Sequence, residues 1–157
     1  MSRRARLALA VEVEAPVEAV WAAVTDWPGQ SRWMLGTRVR ATTMGAEGAP
    51  GRGVGGGIEA RTGLGRSRRL GVLDTMVITH WDPPRRCAVR HTGRVIRGAG
   101  YFAFVPVPGP TPKTRFVWAE EVLLPFGPLG VLGWAVLRPL LAAGVRTSLR
   151  GLARELG

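Results

Sequence analysis

The chain holds one cysteine, Cys87, one tyrosine, Tyr101, two histidines, His80 and His91, and a single lysine, Lys113, among its 22 basic residues. One cysteine excludes an intrachain disulfide and a cysteine-rich zinc site. With only two histidines beside it, no metal is expected. HExxH, GxSxG and phosphate-loop spacings are also missing, so no cofactor is implied. "GVGGG", residues 53–57, has glycines without the following lysine and helix. It reads as a flexible strand or hairpin tip. A long clean apolar run is lacking too. The stretch from Val122 to Val145 is interrupted by Pro125, Pro128, Arg138 and Pro139, whereas a spanning helix needs about 20 consecutive apolar residues. The apolar start stops at Glu12, too early for a signal peptide. A soluble cytoplasmic protein is expected.

Acidic charge is scarce as well. The net charge is +11 and the pI about 11.7. That balance invites nucleic acid or an anionic membrane. The basic residues are almost all arginine, which reads as compositional bias, since a phosphate-binding surface would use both types. They are scattered from Arg3 to Arg154, densest in "SRRAR" and "RSRRL", with no run of five like charges. A specific nucleic-acid partner is therefore not expected. Peripheral contact with an anionic membrane is the alternative partner, carried by the Arg146, Arg150, Arg154 row and the apolar "PFGPLGVLGWAVL" before it.

What is present is enough apolar residue, 46% of 157, for one domain spanning residues 1–157. Leu7, Leu9, Val11 and Val13 alternate with Ala8, Ala10, Glu12 and Glu14, the period of a half-buried strand. Pro16 suits a first helical turn, and Val17, Val20, Trp21 and Val24 form one apolar helical stripe. Pro28 and Gly29 end that helix, and "QSRWM" reads as a second short helix or turn. Strands are predicted at 37–44, 52–62, 70–80, 86–94, 97–107 and 113–123, separated by "GAEGAPGRG", "WDPPRR" and "VPVPGPTPKT". "GRGVGGGIEARTGLGRSRR" implies a long glycine- and arginine-rich hairpin. From Pro128 the spacing is helical. Leu137, Leu141, Val145, Leu149, Leu152 and Leu156 fall on one face, and Pro139 is expected to kink or divide the helix.

This order gives an α+β fold: a curved antiparallel sheet of about seven strands, two short N-terminal helices, and a long C-terminal helix over a cavity. Four stretches, "VEVEAPVEAVWAAVTDWPGQSRWM", "DTMVITHWDPPRRCAVRHTG", "FVWAEEVLLPFG" and "RPLLAAGVRTSLRGLARELG", give the sequence its resemblance to the SRPBCC/START-like superfamily, in its polyketide cyclase/dehydrase and lipid-transport branch. The resemblance implies the birch-pollen-allergen-like helix-grip fold, with a deep apolar cavity under the C-terminal helix. It implies no single reaction.

Three polar residues are candidates for catalysis. His91 alternates with Cys87 and Val89, Glu120 with Phe116 and Trp118, and Asp74 with Met76 and Ile78. Each becomes a polar group in the cavity if its strand face is concave. A dyad of His91 with Glu120 or Asp74 would suit enolisation, aldol closure or dehydration; salt bridging is the plainer role. Ligand contacts are expected from Trp33 and Met34, which the resemblance places at the cavity mouth, and from Met76, Ile78, Val89, Phe116, Trp118, Leu137 and Leu141. Tyr101 is another candidate, in competition with Phe102 and Phe104 for the interior. Trp21 is expected in the core, Trp27 as a packing wedge, and His80 exposed. The leading expectation is binding or carriage of a small hydrophobic ligand. A cyclase or dehydratase in the same cavity is the alternative.

Overall fold

A computed structural model describes residues 3–63 and 71–157. The expected glycine- and arginine-rich hairpin includes residues 64–70, which lie outside the described residues. The elements run β1 (Arg3–Val13), α1 (Val17–Thr25), a 3₁₀ turn (Pro28–Arg32), β2 (Thr37–Thr43), β3 (Gly57–Gly63), β4 (Gly71–Asp82), β5 (Arg86–Thr92), β6 (Arg97–Pro106), β7 (Thr114–Leu124) and α2 (Pro128–Leu156). Seven antiparallel strands form one sheet in the order β1-β7-β6-β5-β4-β3-β2. This is the α+β helix-grip arrangement expected. The second of the two N-terminal helices is only a 3₁₀ turn, and the expected strand at 52–62 starts at Gly57, after a tight turn around Gly51 and Gly53.

Alternation decides which side chains point inward. On β1, Leu7 and Val13 are buried and Arg4, Arg6 and Ala8 are exposed. The register places Val89 against Ile78 and Gly100, and Phe102 against Cys87 and Trp118. Those residues share the concave face.

One end of the concave space is filled. Trp21 meets Phe104 at 5.1 Å and Trp81 at 4.9 Å, and Phe104 meets Phe116 at 5.1 Å. Leu149 and Leu152 of α2 and Val20 and Val24 of α1 close this core. Two side-chain hydrogen bonds hold the turn beside it. Gln30 Nε2 donates to the Val24 carbonyl at 2.7 Å, covering an orphan acceptor at the end of α1. Trp27 Nε1 donates to the Gly51 carbonyl at 2.7 Å.

α2 runs unbroken through Pro139, contrary to the expected division. Pro139 and Ala135, whose carbonyl loses its intrahelical donor, are both exposed, so water can supply that missing donor. The uninterrupted helix also revises the reading of Val122–Val145. α2 is long and apolar enough to cross a membrane, and its most apolar stretch is almost entirely unburied. Its second half nevertheless packs on the sheet through Leu149 and Leu152.

Candidate functional site

Beyond the filled core the sheet and the first half of α2 diverge. The space between them is a cavity of about 610 Å³. Its wall is mostly apolar. Leu7, Val39, Ile58, Ala60, Met76, Val89, Phe102 and Trp118 come from the strands, and Trp134, Leu137, Leu141 and Val145 from α2. A turn held to the helix forms one edge: the Leu35 amide donates to Ser148 Oγ at 2.9 Å, and that hydroxyl donates to the Gly144 carbonyl at 3.0 Å. Leu35, Val72, Val95 and Leu140 belong to the wall and are also exposed, so they mark the mouth. It opens where β1, β2, β4 and β6 begin and β3, β5 and β7 end.

One charged cluster sits in this wall. His91 of β5 has a side chain only 3% exposed. Its Nδ1 lies 2.8 Å from Asp74 Oδ1 of β4, and its Nε2 lies 2.8 Å from Glu120 Oε2 of β7. Glu120 is held in turn by Trp118 Nε1, which donates to Oε1 at 2.8 Å. β6 lies between β5 and β7, and residue 100 pairs with both Val89 and Glu120. That residue is glycine. A Cβ there would overlap the Glu120 carboxylate, so the missing side chain is the passage through which Glu120 reaches His91.

Burial opposes charge on His91. The hydrogen bonds to Asp74 and Glu120, with the charges of both carboxylates, outweigh it and push the pKa up to about 10. Near neutral pH the ring is an imidazolium donating from both nitrogens. It has no lone pair with which to act as a general base. The atoms able to accept a hydrogen bond from a ligand are the carboxylate oxygens. The Cys87 thiol, also in the wall, is 1% exposed, and burial pushes its pKa up to about 12. It stays a neutral thiol and is no nucleophile. Both His91 nitrogens are spent on carboxylates, and among the described residues no group of three or more His, Cys, Asp or Glu is arranged to hold a metal.

The structure thus brings Asp74, His91 and Glu120 together, with Met34, Met76, Val89, Trp118, Leu137 and Leu141 around the same cavity. Three expected ligand contacts lie elsewhere. Trp33 is buried in the core with Gly151 of α2 packed on its backbone. Ile78 and Phe116 are 1% and 0% exposed in the filled core. All three have the right parity or chain position but sit where packing is complete. Tyr101 does border the cavity, but not through its ring. Its neighbours Phe102 and Phe104 take the interior, and the strand period sends the Tyr101 ring to the convex face, where the Arg86 guanidinium lies 4.2 Å from its centroid. Trp27 joins the wall while remaining a wedge. Sequence reasoning missed Gln30, Ile58, Ala60, Trp134 and Leu140 on the wall, and Gly100. A glycine inside an otherwise regular strand was the available signal for the last.

Residues 4–157 match the family model described as polyketide cyclase / dehydrase and lipid transport. No curated protein matches the chain. Among solved structures, the chain is similar to the Zhui aromatase/cyclase from Streptomyces sp. R1128, at 16% identity and TM-score 0.73, covering 98% of this chain and 94% of that one. It is also similar to a Thermus thermophilus protein, TTHA0849, at 18% identity and TM-score 0.72, covering 97% of each chain. A START superfamily protein from Mycobacterium smegmatis aligns at 14% identity and TM-score 0.68, covering 97% of this chain and 99% of that one. At these identities the structural likenesses speak for the fold.

Proposed function

The chain belongs to the polyketide cyclase / dehydrase and lipid transport family, and on that premise we propose that it binds and carries one small hydrophobic molecule of lipid, polyketide or isoprenoid type in the cavity under α2. The observation that supports this reading is the cavity itself, about 610 Å³ with a mostly apolar wall. Pockets of roughly 300–1,000 Å³ suit small-molecule ligands. Affinity would come chiefly from apolar burial, at about 25 cal/mol per Å² before the costs of association. The Asp74–His91–Glu120 cluster would orient the guest, since its carboxylate oxygens are acceptors for a ligand hydroxyl or amine. Native mass spectrometry of the purified chain tests the proposal. A hydrophobe bound in one-to-one ratio supports it. A chain that emerges free and takes up neither fatty acid, polyketide nor isoprenoid when offered them contradicts it.

The same cluster supports a second reading, a cyclase or dehydratase. With His91 protonated, Asp74 or Glu120 is the group able to take a proton from an acidic carbon, and the imidazolium steadies the carboxylates. The reading predicts that Glu120→Gln and Asp74→Asn lose turnover of a poly-β-keto thioester while ligand binding persists. Equal turnover in both variants would remove the cluster from any chemistry.

A further inference from the structure

We propose that the mouth end of the molecule docks on an anionic lipid bilayer, with the first half of α2 lying in the membrane interface. The proposal goes beyond the ligand reading and does not depend on it. Residues 128–137 of α2, "PLGVLGWAVL", carry no charge on any side. Such a helix is ordinarily buried, yet this one has two apolar faces, one turned to the cavity and the other turned outward. Leu137, Leu141 and Val145 face the cavity. Leu129, Leu132 and Val136 follow at steps of three and four on another face and are 64–74% exposed. Phe126, just before the helix, is 82% exposed, and Val95, in the turn between β5 and β6, is 75% exposed. With Leu35 they form an apolar rim built from separate segments and continuous with the mouth. Scattered exposed apolar residues are ordinary, but a contiguous collection marks an interaction surface.

Charge selects the occupant. Arg3, Arg38, Arg61, Arg94, Arg97 and Arg138 are exposed at this end, and none is in an ion pair among the described residues. The acidic side chains lie elsewhere. Glu12, Glu14, Glu18, Asp26, Glu47, Asp82 and Glu155 belong to the filled end, while Asp74 and Glu120 point into the cavity. Glu59, midway along the outer face of the sheet, is bridged by Arg40, and Glu121, nearer the mouth opposite Arg6, is already bridged by Arg4 and Arg6. An apolar centre ringed by arginine complements anionic headgroups over acyl chains. A second copy of the chain would cover the apolar centre but would set one arginine ring against another. The Arg146, Arg150 and Arg154 row is exposed on the second half of α2, away from this rim.

Vesicle flotation with the intact chain tests the proposal, using phosphatidylcholine with about 30% phosphatidylglycerol against phosphatidylcholine alone. The chain should float with the anionic vesicles, bind the neutral ones weakly, and lose binding as salt rises. Leu132→Glu with Val136→Glu should lower binding roughly tenfold or more. Phe126→Glu, outside the helix, should lower it in the same direction. Arg94→Ala with Arg138→Ala should lower anionic binding, and Arg150→Ala with Arg154→Ala should not. None of these substituted residues is in the cavity wall, so uptake of N-phenyl-1-naphthylamine should stay within about twofold, which also reports that each variant folds. Several outcomes would overturn the proposal: no flotation with anionic vesicles, equal loss from both arginine pairs, or a dimer in solution that the Leu132 and Val136 changes dissolve without vesicle binding. Loss of vesicle binding with probe uptake intact would leave the ligand reading standing, and the converse would leave docking standing.

Discussion

Glu120 on β7 and His91 on β5 are joined by a hydrogen bond of 2.8 Å across an intervening strand, and Gly100 of that strand leaves the space for it. A charged group inside an apolar cavity is stable only when paired and hydrogen-bonded. Asp74 on one side and Glu120 on the other supply both conditions. The polar centre of the cavity therefore depends on a residue with no side chain.

The first prediction concerns that glycine. Gly100→Ala would place a methyl group on the Glu120 carboxylate. Either Glu120 swings away or the strands part. The expected loss is about 1–3 kcal/mol of stability, together with a lower His91 pKa, because one raising partner is withdrawn. Urea denaturation measures the first, and an NMR titration of the imidazole the second. A variant with unchanged His91 titration would show that Glu120 does not hold the ring through this gap.

The second concerns pH. The His91 pKa stands at about 10 in the folded chain, against an ordinary value of 6.5. The folded state binds the proton more tightly, so this contribution to stability is complete below pH 6.5 and disappears as pH rises through about 10. Asp74 and Glu120 are 16% and 24% exposed, which screens the effect to about 2 kcal/mol. Thermal melting of the wild type should fall more steeply from neutral pH to pH 10 than that of His91→Gln. Parallel curves would contradict the assignment of a charged ring.

A third prediction lies at the turn behind the cavity. Gly51 has φ 64°, and a Cβ there would come within 2.7 Å of Trp27 Nε1. Gly51→Ala meets both backbone strain and the indole ring, and should cost about 1–3 kcal/mol. It should also disturb the wall that Trp27 helps form. Equilibrium denaturation together with probe uptake would register both. A Gly51→Ala variant as stable as the wild type would mean that the turn relaxes without moving Trp27.

Much of this was legible in the sequence because alternation is local. Asp74 shares parity with Met76, His91 with Val89 and Glu120 with Trp118, and all three pairs prove to face the cavity. Parity carries no information on depth along the cavity. Ile78 and Phe116 share those faces yet lie where Trp21, Phe104 and α2 fill the space. The interior competition between Tyr101 and Phe102 was settled by apolar burial together with the Arg86 stack outside. Pro139 misled because its cost depends on whether a carbonyl one turn away is dry or wet, which the sequence does not state. The convergence of Asp74 and Glu120 on one imidazole is a product of register and a glycine gap, both long-range features.

The account stands most directly on whether the space under α2 admits a guest. Titrating N-phenyl-1-naphthylamine into the wild-type chain and into Ala60→Trp measures it, since Ala60 lies in the cavity wall and a tryptophan there projects bulk into the void. The wild type should bind the probe with saturable enhancement of its fluorescence, and Ala60→Trp should lose at least roughly tenfold in affinity while keeping its fold. No saturable binding by the wild type, or equal binding by both chains, would contradict the claim that the cavity is a ligand site.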